Sequence, residues 1–138
     1  VFEDGGQLRD FVSIHDVVDC LVLMLERSGA DYLPVNVGSG EVVSILDIAN
    51  LLRRLLGSSI EPQVTHTGRK FDIRHNTADI TRARTTLGFT PKVTLEQGFG
   101  ELIAWAKTTP DVAVDFFDRA LDELQQKGLL VQSPTGGA

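Results

Sequence analysis

The chain has 138 residues, with 13 Lys and Arg against 19 Asp and Glu, a formal charge of -6; 42% of it is hydrophobic and 23% charged. That length suggests one domain able to bury a real core, and the composition excludes a disordered chain. The acidic balance argues against a nucleic-acid binder, which needs surplus Lys and Arg for phosphates, and no apolar run approaches the ~18 residues that span a bilayer.

The chain starts at Val1, and Val1–Gly6 reads as the end of a strand and its turn, so a beginning in mid-fold is expected, as in a fragment or processed product. No basic region followed by an apolar one opens it, so no signal peptide is expected. The single Cys20 cannot form an internal disulfide, which suits a reducing, cytoplasmic setting.

In chain order, Val17, Leu21, Met24 and Leu25 recur at helical spacing and predict a helix over 16–27, capped by Ser13 or Asp16 and ended by a left-handed Gly29. Cys20 flanks that stripe and reads as a small buried hydrophobe. Residues 32–37 alternate as a strand and turn at Gly38-Ser39-Gly40. Ser44 and Asp47 form a capping-box pattern before a helix over 45–56, which Gly57 ends. Residues 61–67 alternate weakly as a strand, and 67–76 is polar and aperiodic, a loop. Asp79 caps a helix over 80–87, closed by Gly88; Thr94 and Gln97 cap another over 95–107. A last helix over 111–127 turns Val112, Phe116, Phe117, Ala120, Leu121 and Leu124 to one side, Gly128 stops it, and Ser133–Ala138 reads as a disordered tail. The class is α/β, with short strands and four to five helices.

Several chemistries are excluded by pattern. Gly38-Ser39-Gly40 follows a strand, but the third glycine of a dinucleotide fingerprint is missing, since position 43 is Val. His15, His66 and His75 are scattered and have no metal-ligand spacing, and no Gly-x-Ser-x-Gly nucleophile turn occurs. Tyr32 has Asn36, not Lys, one helical turn on, so it is no catalytic dehydrogenase tyrosine. The local charge is more informative. Arg69, Lys70, Arg74, Arg82, Arg84 and Lys92 outweigh Glu61, Asp72 and Asp79 by three, in a chain that is acidic overall. Arginine's planar fork suits a phosphate or diphosphate; an ordinary solvated loop explains the same cations, and charge alone leaves both readings open.

Phe2–Val17 resembles the DG-x-Q-x-R-D-F-V-x-V-x-D-V stretch of the extended short-chain dehydrogenase/reductases, the NAD-dependent nucleotide-sugar epimerases and dehydratases of the UDP-glucose 4-epimerase kind. Val35–Gly40 is similar to their Y-N-V-G-S-G, and Gly68–His75, Ala78-Asp79 and Leu87-Gly88-Phe89-x-Pro91 resemble R-x-G-D-I-R-H, A-D and L-G-W-x-P. Leu95-Glu96-x-Gly98 and Trp105 fit the closing helix. The resemblance implies the C-terminal, substrate-binding region of a Rossmann-type enzyme, the Rossmann domain itself absent together with its glycine loop, catalytic Ser/Thr and Tyr-x-x-x-Lys pair. It implies a nucleotide-sugar-binding region over 1–107 and a C-terminal amphipathic helix and flexible tail over 108–138.

By that resemblance the parent is a 4-epimerase of UDP- or dTDP-sugars, a cytoplasmic homodimer using NAD bound by the absent domain, and this chain alone carries no catalytic residue and no NAD. Arg9 and Arg69 match the arginines that hold the diphosphate, Asp72 the acid that contacts the ribose, and Phe2 the lining of the base pocket. Phe11 stands where many members have Tyr. Phe71 replaces the usual Gly before the Asp, which predicts a different loop backbone. Arg74 and His75 are open to a structural or a ligand-binding reading. A dehydratase or decarboxylase on the same scaffold, a non-catalytic nucleotide-sugar-binding module, and an interaction protein docking through the last helix are the alternatives.

Overall fold

The computed structural model describes residues 1–109 and 117–132. The chain forms two compact units and passes repeatedly between them. Residues 1–7, 44–74 and the described residues from 100 on belong to the first; residues 8–43 and 75–99 make the second.

The second unit holds a two-residue strand β1 (Leu8–Arg9), helix α1 (Ile14–Glu26), a 3₁₀ turn (Ser28–Ala30), strand β4 (His75–Asn76) and helix α3 (Thr81–Leu87). β1 and β4 run parallel, Leu8 opposite His75 and Arg9 opposite Asn76. Ser13 caps α1, its hydroxyl accepting from the His15 N–H. Asp16, the other cap candidate, is instead buried, and its carboxylate accepts from the N–H groups of Lys92 (2.9 Å) and Val93 (3.1 Å). It thereby fastens the segment after α3 to α1.

The core is Cys20, Ala30, Ile80, Ala83, Leu87 and Phe89, with Leu23, Met24, Val35, Val37 and Ala78 packed on it. Burial pushes the Cys20 thiol up, as suits a core hydrophobe. The expected apolar stripe of α1 is only half right. Met24 faces the core, but Leu21 and Leu25 are 50% and 88% exposed. Gly29 is not a left-handed cap either. It lies within the 3₁₀ turn, where a Cβ would stand 2.9 Å from the Thr86 carbonyl oxygen. Residues 32–37, expected as a strand, are assigned to none.

In the first unit, α2 (Ile45–Leu56) follows the two-residue strand β2 (Val43–Ser44). The expected capping box is complete, Ser44 bonding the Asp47 N–H and Asp47 bonding back, and these bonds hold the Asp47 carboxyl below its usual range. Gly57 ends α2 in the left-handed conformation. The stretch expected as a loop contains β3 (Thr67–Arg69), which pairs antiparallel with β5 (Leu130–Gln132), Arg69 opposite Leu130. Helix α4 covers Leu95–Thr108, opened by the expected Thr94 and Gln97 cap, and α5 covers Phe117–Gln126. Phe116, the Phe117 side chain and the tail from Ser133 lie outside the described residues; Leu121 and Leu124 are half-buried.

Candidate functional site

In the first unit the N-terminal segment lies beside β3. The Thr65 N–H donates to the Val1 carbonyl (3.0 Å), the Glu3 N–H to Thr67 (2.8 Å) and the His66 N–H back to Glu3 (3.0 Å). This brings the Phe2 ring to 5.8 Å from the guanidinium carbon of Arg69, within cation–π range. Arg69 ends β3, and its Nε and Nη2 donate to one oxygen of Asp72, at 3.2 and 2.7 Å. Phe2, Arg69 and Asp72 thus form one cluster, brought together from two separate stretches of the chain at β3.

The turn between Arg69 and Asp72 closes with the Asp72 N–H bonded to the Arg69 carbonyl (3.1 Å). At its apex Phe71 has φ of 69° and is 86% exposed. A phenylalanine thus adopts here the left-handed conformation that glycine favours, at a cost of roughly 1–2 kcal/mol. The Lys70 ammonium sits 5.3 Å from the Phe71 ring.

Arg74 pairs with two acids. Its two terminal nitrogens donate to Glu3 Oε2 and Asp4 Oδ2, each at 2.7 Å. Arg74 and the Gly6 N–H hold the Asp4 carboxyl at about 2, below its usual range. His75 lies in β4 opposite Leu8.

Arg9 and Phe11 belong to the second unit. Arg9 lines an open cavity of about 440 Å3 together with Asp10, Asn36, Asn76 and Thr77. One Arg9 nitrogen donates to the Leu8 carbonyl at 2.8 Å. Phe11 packs against Phe99, ring centres 5.7 Å apart, an apolar contact in which a tyrosine hydroxyl has no part. The Gly38-Ser39-Gly40 turn already holds an anion of its own. The Asp10 carboxylate accepts from the Ser39 N–H (2.7 Å), the Ser39 hydroxyl (2.6 Å) and the Gly40 N–H (3.2 Å). A Cβ at Gly38 would stand 2.4 Å from Asp10, so this glycine serves close packing.

Sequence reading missed Asp10 and the Glu3–Asp4–Arg74 clamp. A signal existed for the second: the acidic doublet Glu3-Asp4 in the first motif and a loop, 67–76, with two surplus cations in the other. Among the described residues no group of three or more His, Cys, Asp or Glu could hold a metal ion, and no helix is long and apolar enough to cross a membrane.

No protein-family model matches the chain. It is 41% identical over 105 residues to dTDP-L-rhamnose 4-epimerase of Burkholderia thailandensis, a match covering 76% of this chain and 29% of that protein. It is 34% identical over 98 residues to UDP-glucuronic acid decarboxylase 5 of Arabidopsis thaliana, covering 71% of this chain and 28% of that protein. Among solved structures it superposes on UDP-glucuronic acid 4-epimerase of Bacillus cereus, in complex with UDP-4-deoxy-4-fluoro-glucuronic acid and NAD. The TM-score there is 0.71 at 31% identity, over 78% of this chain and 34% of that one. The fold is therefore part of a Rossmann-type enzyme. The chain belongs to the extended short-chain dehydrogenase/reductases, the family of NAD-dependent nucleotide-sugar epimerases and their relatives, and spans about a third or less of the relatives it matches.

Proposed function

We propose that the chain is the substrate-binding portion of an NAD-dependent nucleotide-sugar 4-epimerase, and that it grips the nucleoside diphosphate of a UDP- or dTDP-sugar. The observation that carries this reading is the joining of Phe2, Arg69 and Asp72 by β3 in one unit. An aromatic face, a forked cation and a carboxylate acceptor are what a base, a diphosphate and a ribose hydroxyl require. Arg69 now spends two donors on Asp72; a diphosphate would compete for that fork, leaving Asp72 to accept from a sugar hydroxyl. The resemblance also assigns Arg9 to a diphosphate; in the structure it lines the cavity of the second unit.

The chain's own residues do not fit NAD. The Gly-Ser-Gly turn closes on the Asp10 carboxylate and offers its N–H groups to no pyrophosphate. NAD, which would take and return a hydride at the sugar, belongs to a part of the parent enzyme outside this chain, and no step of that chemistry is assigned to residues 1–138. The decarboxylase likeness at 34% identity favours a second reading, the same region serving a nucleotide-sugar decarboxylase. Calorimetric titration of the chain with UDP, dTDP and NAD tests the assignment. Binding of either nucleotide without NAD supports it; no binding of UDP or dTDP overturns it for this chain.

A further inference from the structure

We propose that Arg74 is a positioning residue for the Phe2–Arg69 pair: by bridging Glu3 and Asp4 it holds the N-terminal turn against β3 and so sets the Phe2 ring over Arg69. The claim about placement rests on unit-one geometry alone; what the pair binds rests on the nucleotide-sugar reading.

The turn needs an external hold. Glu3 has φ of 53°, a conformation that L side chains rarely adopt, and the residue after Phe2 therefore tends to relax toward negative φ, carrying the ring with it. Three features oppose that relaxation. The Glu3 backbone bonds Thr67 and His66. The Glu3 side chain lies across Gly68 of β3, where an added Cβ would stand 3.1 Å from its Cγ and 3.2 Å from Oε1. Its far end, Oε2, meets Arg74 Nη1 at 2.7 Å. The other arm of the fork, Nη2, takes Asp4 Oδ2 at 2.7 Å, and Asp4 Oδ1 accepts from the Gly6 N–H at 2.8 Å. Arg74 thus joins two consecutive carboxylates, whose repulsion would otherwise open the turn, and anchors them from a position beyond the Arg69–Asp72 loop. The planar fork is essential, because a lysine ammonium is a single point and cannot hold both arms in this geometry.

The test uses the 138-residue chain. The first readout needs no ligand: the Nε–Hε resonance of Arg69, which the Phe2 ring current displaces. Arg74→Gln should move it toward its position in Phe2→Leu, Arg74→Lys should restore it partway, and the double variant should coincide with Phe2→Leu alone. Asp4→Asn, which removes one arm, should give an intermediate shift and decides the matter if Arg74→Gln does not fold. The second readout is UDP titration, with about 2–5-fold weaker binding in Arg74→Gln, as for loss of an exposed ring–cation contact, and no further loss on a Phe2→Leu background. A folded Arg74→Gln chain whose Arg69 resonance stays at the wild-type position would overturn the proposal, as would full additivity with Phe2→Leu. Failure of the wild-type chain to bind UDP would overturn the nucleotide-sugar reading instead, and the resonance cycle would still decide the role of Arg74.

Discussion

Asp72 and Arg69 make opposite demands on two ligands, and Asp72→Asn separates them. Both Arg69 donors fall on one Asp72 oxygen, and the two side chains are 51% and 30% exposed. An ion pair that open to water is worth only about 0–1 kcal/mol, so the fold should survive its loss. Removing the carboxylate charge releases the guanidinium from its internal competitor. Inorganic pyrophosphate, which asks only for the cation, should then bind up to about 5-fold more tightly, the equivalent of that ~1 kcal/mol. UDP should bind about 2–30-fold more weakly, because a ribose hydroxyl loses a charged acceptor worth roughly 1.5–3 kcal/mol, offset by about 1 kcal/mol from the freed arginine. Arg69→Ala should weaken both ligands together, by about 10–150-fold for the nucleotide. Isothermal titration with the two ligands on the three proteins measures all six values. If Asp72→Asn changes UDP and pyrophosphate affinity in the same direction and by the same factor, Asp72 touches no ribose, and its role reduces to holding the loop.

Asp16→Ala should cost about 3–5 kcal/mol in urea unfolding, since the buried carboxylate serves two backbone N–H groups; Asp16→Asn, which keeps an acceptor, should cost visibly less. A loss under 1 kcal/mol for the alanine variant would show that water replaces both bonds. Asp4, whose folded carboxyl titrates at about 2 against an ordinary 3.8, stabilises the fold fully above pH ~4 and progressively less as pH falls toward 2. The stability gap between wild type and Asp4→Asn should therefore close over that window in acid titrations followed by circular dichroism; a gap independent of pH would contradict the Arg74 bridge. Leu87→Ala should cost about 2–5 kcal/mol and Leu25→Ala under about 0.5, because the first is fully buried and the second 88% exposed. Equal melting temperatures for the two variants would refute the assigned buried position of Leu87 on α3 and the exposed one of Leu25 on α1.

Where a local rule fixes an element, the sequence was sufficient. The helix over 45–56 is announced by Ser44 and Asp47, stopped by Gly57, and found at those residues. Position 14–26 is a different case. α1 is apolar around most of its circumference, so spacing identifies a helix but not its buried face, and Asp16 with Cys20 turned inward while Leu21 and Leu25 turned out. β3 was invisible because three residues carry no alternation and its partner lies more than 60 positions away. Alternation at 32–37 had the reverse fault: it advertises a strand without supplying a neighbour. For the site, the resemblance named Phe2, Arg69 and Asp72, and charge counting marked the loop around them. Neither could show that Asp72 already holds Arg69, that Arg74 bridges two acids, or that Phe71 would take a glycine's conformation.

The strand that carries Arg69 is completed by two pieces of chain that lie far apart in the sequence on either side of it. Phe2 and Glu3 leave the ribosome ahead of residues 65–67 and wait for them; Leu130–Gln132 follow only after the second unit is out. The second unit, by contrast, has its final residue at 99 and can close while this edge of β3 is still bare. During that interval a nascent chain carries an unpaired strand edge, the kind of template that recruits other chains. Premature termination anywhere between Arg69 and Leu130 makes the interval permanent. Ribosome stalling over α5 is therefore a more hazardous event for this protein than stalling over α1.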